Sequence, residues 1–285
     1  MRASKIAYVA VALVIALVAV IGCGKTQSRT AGKREAQTPR AAKAAPSVTE
    51  RPVSKPEPAV PKVSPAETAI SAAAKRNRYV FVTFYRKGDD ASKSMQAALK
   101  PVRGKLSHRT DFVSVDVDDP AQQEVVSRYG ADRSPIPLTL VIAPNGAITA
   151  GYPNEVKKSD FSSAFVSNGM ASVLRILQDQ KLAVVCIQNS RTSHSRESLA
   201  AARGLASAQG FAGGTEIVRI NPADSREVKL LRQLQVSANP SEAQVIVIAP
   251  PGKVAGKFSG AVSTETMVAS VSQACGPGGS CGPSG

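Results

Sequence analysis

Tryptophan is absent from these 285 residues, aromatic side chains make up only 4% of them, and there are two histidines and four cysteines. Each scarcity excludes something. The formal charge is +15, but no stripe of Lys and Arg is interleaved with aromatic side chains on which bases could stack. Nucleic-acid binding shows a concentrated basic face or a recognisable motif, so no nucleic acid is expected as a partner. The charge is dispersed, and it reads as a solvated basic surface that suits anionic lipid or cell wall. The cysteines stand at 23, 186, 275 and 281, with no Cys-x-x-Cys among them. No residues here form a ligand set for zinc or calcium. No metal or cofactor is expected, and no catalytic residue can be assigned.

The chain begins with Arg2 and Lys5, then an apolar run from Ile6 to Gly22. That layout is a secretory signal, covering residues 1–22. Its end, Val20-Ile21-Gly22-Cys23, resembles a bacterial lipobox. The resemblance implies cleavage before Cys23, diacylation of its sulfur and acylation of the new amino terminus. Several acyl chains, each worth about 0.8 kcal/mol per buried methylene, anchor a protein stably. An uncleaved spanning segment is the alternative, and it too leaves the remainder exported and tethered. The expected place is the cell envelope, facing the periplasm or exterior. Gly24, where an aspartate would retain a lipoprotein at the inner membrane, favours the outer one.

Residues 23–63 form a linker. Prolines at 39, 46, 52, 56, 58 and 61 alternate with Ala, Lys and Thr, and large apolar residues are nearly missing. Such a composition cannot bury enough surface to fold. It acts as a partly extended spacer. Between Gly24 and Thr68, nine Lys and Arg face four Glu.

Folded structure is expected from Ser64. Ser64-Pro65-Ala66-Glu67 sets a capping serine, a proline at the first helical position and a glutamate three residues after the cap. A strand follows over Tyr79 to Phe84. Met95, Leu99, Val102 and Leu106 recur at helical spacing, with Pro101 expected to kink or split that helix. The pattern continues with a strand at 112–117, a helix around Val125 and Tyr129, strands at 138–142 and 147–152, and a helix over 160–177. In this order the run resembles a thioredoxin domain. Val113 to Asp118 and Ile136-Pro137-Leu138-Thr139-Leu140 carry the likeness, the latter similar to the family's Ile-Pro-Thr segment. That resemblance implies a cis peptide at Pro137, beside a groove that in the enzymes holds substrate backbone.

A second pass begins at Leu182-Ala183-Val184-Val185-Cys186. An alanine-rich helix over 196–209, a strand at 215–220, a capping-box helix opened by Asp224-Ser225-Arg226-Glu227, strands at 244–248 and 253–258 and a last helix at 264–274 complete it. Ile142-Ala143-Pro144-Asn145-Gly146 is echoed by Ile248-Ala249-Pro250-Pro251-Gly252, at an offset of 106 residues against 102 at the first strands. Alternating strands and helices ending in an antiparallel pair give α/β layers. The expected architecture is two tandem thioredoxin-like domains at 64–178 and 179–274, each a mixed sheet flanked by helices. A Gly- and Cys-rich tail follows at 275–285.

Where thioredoxins carry Trp-Cys-Gly-Pro-Cys-Lys, this chain has Gly88-Asp89-Asp90-Ala91-Ser92-Lys93. Disulfide exchange requires a thiolate, and the degenerate positions Asp89 and Ser92 supply none. Aspartates at a helix start accept bonds from its free amides. In the second repeat His194 falls near the second cysteine position, with no acid, base or ligand spaced around it, and Ala243 takes the place of Pro137. Cys186 lies in an apolar strand and reads as a core thiol. Cys275 and Cys281 each precede Gly-Pro in the tail. They could close a small disulfide loop, exchange as a mobile redox pair, or ligate a soft metal with help from another chain. Two functions follow. One is a membrane-anchored binding or scaffold protein without a resident dithiol, for an exported protein partner the sequence does not name. The other is a thiol–disulfide oxidoreductase working through Cys275 and Cys281.

Overall fold

The computed structural model describes residues 64–156 and 161–275. The signal, the linker, Cys23 and Cys281 lie outside the described residues, as does the side chain of Cys275. Ser64 caps the first helix, α1 (Pro65–Lys75), by accepting a 3.1 Å hydrogen bond from the Glu67 amide. The chain then turns through Asn77, at φ 54°, into β1 (Tyr79–Tyr85). There follow α2 (Asp90–Leu106), β2 (Thr110–Asp116), α3 (Gln123–Arg128), β3 (Leu138–Ile142), β4 (Ile148–Pro153) and the single turn α4 (Phe161–Ala164). The strand order is β2-β1-β3-β4, with β1 and β2 parallel and the remaining pairs antiparallel.

Alternation along β1 builds two cores. Val80, Val82 and Phe84 meet α1 and α3, including Ala73, Val125 and Val126. Phe81 turns the other way, onto Met95, Leu99 and Val102 of α2 and Phe161 of α4. Its ring stacks on Phe112 at 5.1 Å. α2 stays continuous through Pro101, where a kink or split was expected. That residue is exposed, so water can serve the carbonyl whose helical donor proline lacks.

The second unit repeats the arrangement with α5 (Asn168–Gln178), β5 (Leu182–Ile187), α6 (Ser195–Ser207), β6 (Thr215–Ile220), α7 (Val228–Leu234), β7 (Gln244–Ala249), β8 (Lys253–Ser259) and α8 (Thr264–Cys275). Its order, β6-β5-β7-β8, and its strand directions match the first sheet. Helices α5 and α7 cover one face and α6 and α8 the other. The described residues are thus α/β, two four-stranded mixed sheets in tandem, each flanked by helices, consistent with the two thioredoxin-like domains expected.

The helix expected over 160–177 is instead two helices. Ser167 is extended, at φ −66° and ψ 162°, and its hydroxyl accepts from the Met170 amide, so a new helix starts there. α5 occupies the place of α1. Ser64 and Ser167 are both capping serines, and Asn77 and Gln180 are both left-handed exits two residues ahead of their strands. α5 also faces the first unit, through Ala171 and Leu174 against Ala143 and Ala147. No helix among the described residues is long and apolar enough to cross a membrane.

Candidate functional site

Strands β1 and β2 are parallel, so their C-terminal ends and the start of α2 share one edge of the sheet. Gly88, at φ 81°, bends the chain there. Asp89 is the N-cap of α2, and its Oδ2 accepts the Ser92 amide at 2.7 Å. Ser92 is 2% exposed, and its hydroxyl oxygen accepts the Arg86 amide at 3.1 Å. Hydrogen bonds from the Ser92 hydroxyl and then its amide hold the Asp89 carboxyl below its ordinary value. Both side chains are therefore committed to folding the turn. Asp90 points outward to Lys93, 2.7 Å away.

Two ion pairs brace the same edge: Arg86 to Asp118 at 2.9 Å and Lys87 to Asp116 at 3.1 Å. Burial opposes ionisation of Asp116. The Asp118 amide and the Lys87 ammonium outweigh it and keep that carboxyl low. Sequence reasoning missed these pairs, since only the parallel pairing of β1 with β2 brings Lys87 to Asp116.

The Ile136–Pro137 peptide is cis. Phe84 of β1 pairs with Leu138, which sets Pro137 beside the loop that carries Asp89 and Ser92. The Pro137 carbonyl accepts the Asn154 amide at 2.8 Å.

The second unit arranges this edge differently. His194 is the exposed N-cap of α6 in left-handed backbone, φ 56°, and its side chain makes no capping bond. Ala243 stands before β7, and its amide donates to the Ser193 carbonyl at 3.0 Å. The Ser193 amide donates in turn to the Ser241 carbonyl at 2.9 Å. The loop before α6 is thus bonded to the backbone that precedes β7. Cys186 is fully buried in β5, and burial pushes its thiol up to about 11. It is no nucleophile. Cys275 is the last residue of α8. Among the described residues no group of three or more His, Cys, Asp or Glu could hold a metal ion.

No protein-family model matches the chain, and no curated protein does. Several solved structures are similar. The germline-specific thioredoxin Deadhead of Drosophila melanogaster is 18% identical over 39% of this chain and 95% of its own, with a TM-score of 0.29. Thioredoxin NaTrxh of Nicotiana alata is 20% identical over 34% and 77%, also with a TM-score of 0.29. A disulphide isomerase of Xylella fastidiosa Temecula1 is 14% identical over 34% and 80%, with a TM-score of 0.27.

Proposed function

We propose that this chain is a binding or scaffold protein of the cell envelope, tethered by lipid on Cys23, whose thioredoxin-like units hold an exported protein partner without exchanging disulfides. The observation that carries this reading is the closed circuit at the start of α2. Asp89 accepts from Ser92 and Ser92 accepts from Arg86, so the turn that would present a dithiol is instead a capped helix. The first unit has a cis proline at 137, and among the described residues no loop is bonded across its strand approach like that of Ser193. Its edge is the one we assign to the partner. The anchor rests on the Val20-Ile21-Gly22-Cys23 sequence, and the linker behind it gives the units reach from the membrane.

Reduction of insulin by dithiothreitol, followed by turbidity, tests the reading with the full chain and with a Cys275→Ser/Cys281→Ser variant. Neither is expected to accelerate precipitation, and the intact mass of the chain recovered from membranes should carry acyl groups. Acceleration by the wild type that disappears in the double variant would establish instead an oxidoreductase working through Cys275 and Cys281. Acceleration that survives in the variant would overturn both readings.

A further inference from the structure

Two threonines interrupt the apolar core strands of the first sheet. Thr83 lies within Tyr79–Tyr85 and Thr139 within Leu138–Ile142, at 3% and 0% exposure. They are register partners, and their hydroxyls meet at 3.1 Å. Ser114 of β2 is the register partner of Thr83 on the other side. A row of hydroxyls therefore runs across the sheet beneath α2. A buried hydroxyl costs stability unless it is bonded, and the Thr83–Thr139 bond meets that need. It also leaves a proton over. If Thr139 donates, the Thr83 hydroxyl is free to donate elsewhere.

Beside that row lies an open cleft of about 460 Å³ lined in part by Thr83 and the exposed Ser114. Leu99 and Phe112 give it apolar walls, and Lys100 and Arg103, one helical turn apart on α2, stand at its rim. Neither cation has a carboxylate partner among the described residues. Arg103 lies over the Phe112 ring, 5.2 Å from its centre. The volume falls within the roughly 300–1,000 Å³ of small-molecule sites, which combine apolar walls with a few converging polar groups.

The second unit provides the contrast. Cys186 stands 103 residues after Thr83, at the same step of its strand. Its register partners are Arg219 and Val245. Cys186 and Val245 are buried in an apolar cluster with Ala202 and Leu205. Where the second sheet has Cys186 and Val245, the first has the hydroxyls of Thr83 and Thr139, and cations flank both places, Arg203 and Arg219 acting on Cys186 in the second.

We infer that the cavity between α2 and the β1–β2 edge is a binding site for a small organic carboxylate, its charge held by Lys100, Arg103 and the hydroxyls of Thr83 and Ser114, and its apolar body laid against Leu99 and Phe112. Charge-assisted hydrogen bonds from cations and hydroxyls to a carboxylate are about twice as strong as neutral ones. The site lies on the flank of the sheet and uses none of the residues at the start of α2.

The test is a titration of the ¹⁵N-labelled full chain with sodium benzoate, followed by amide shifts, beside benzamide of the same shape without the charge. Benzoate should produce saturating shifts confined to amides of α2, β1 and β2 such as Lys100, Thr83 and Ser114, at concentrations of about 10 mM or below. Benzamide should bind at least about tenfold more weakly, as should benzoate to Lys100→Gln and Arg103→Gln. Ser114→Phe, which fills the cavity from an exposed strand position, should abolish the shifts while leaving the rest of the spectrum in place. Shifts scattered over surface lysines, equal affinity for the two probes, or binding undiminished in Lys100→Gln and Ser114→Phe would each overturn the site. So would an absence of saturation.

Discussion

At the scale of single residues, the start of α2 shows two short polar side chains closing a turn. Asp89 accepts from the Ser92 amide, and the Ser92 hydroxyl oxygen accepts from the Arg86 amide. The capping role was legible in the sequence, because a short acceptor before an amphipathic helix has one dominant use. The bond from the Arg86 amide to Ser92 was not, since it depends on how the loop folds back. A pH prediction belongs here. The folded-state pKa of Asp89 is lowered, so its stabilising effect is present above the ordinary carboxylate range and fades as pH falls through the folded value. The urea midpoint of the wild type should exceed that of Asp89→Ala at neutral pH, and the two should converge in acid. Since hydrogen bonds to Ser92 lead the causes and the Arg86 charge comes last, added salt should leave the gap nearly intact. A gap that closes in salt at neutral pH would show that charge holds the turn.

At the scale of elements, the second unit joins its parts through Glu227. The sequence reads Asp224-Ser225-Arg226-Glu227 as a capping box, with the glutamate folding back on its own helix. The structure gives it another use. Residues Ser225–Glu227 form one 3-10 turn in which Asp224 accepts from the Arg226 amide at 3.0 Å. Glu227, 6% exposed, instead accepts from the Ser167 hydroxyl at 2.6 Å and the Gly169 amide at 3.0 Å. It thereby ties α7 to the start of α5 across nearly sixty residues, a distance no local pattern reports. Gly169 makes room for this: a Cβ there would meet Ile220 Cδ1 at 2.3 Å and Glu227 Oε2 at 2.6 Å. The first unit has Ala66 at that step, and the oxygen Oε1 of Gln122, which matches Glu227 in its own 3-10 turn, is buried without a partner among the described residues. Gly169→Ala should therefore cost about 1–3 kcal/mol by overpacking and by displacing the carboxylate. Glu227→Ala should lose about as much, and the double variant should lose less than the sum, because both break one contact. Additive losses in urea unfolding would show that Glu227 and Gly169 act separately.

The described residues form two sheets of one strand order, with α5 packed against both. Both sheets were legible in the sequence, since their apolar runs and the repeated Ala-Pro turn mark the strands. The place where one unit hands over to the next was not. The aliphatic spacing continues across 160–177, and only Ser167-Asn168-Gly169 marks the break, a signal weaker than the pattern around it. α5 has two apolar sides: Val173, Ile176 and Leu177 sit in the second core, Ala171 and Leu174 against Ala143 and Ala147 of the first. Polar contacts reinforce the first side. The Gln178 side chain accepts the Ile148 amide at 2.9 Å and donates to the Ile148 carbonyl at 2.7 Å, and the Tyr79 hydroxyl donates to the Val166 carbonyl at 2.9 Å. A helix packed in this way couples the two units, so unfolding should be one transition seen alike by probes in either sheet. Leu174, 7% exposed and facing the first unit, is the side chain on which that coupling turns. Leu174→Ala should destabilise by about 2–5 kcal/mol and leave Val173, Ile176 and Leu177 seated on β5 and β6. The second unit should then survive to higher urea than the first, with the single transition split in two. Hydrogen exchange at Val82 and Val185, one in each central strand, reads the two units separately. If both amides still open together in Leu174→Ala, α5 is not the coupling element, and the units are joined through the chain between Phe161 and Ser167 instead.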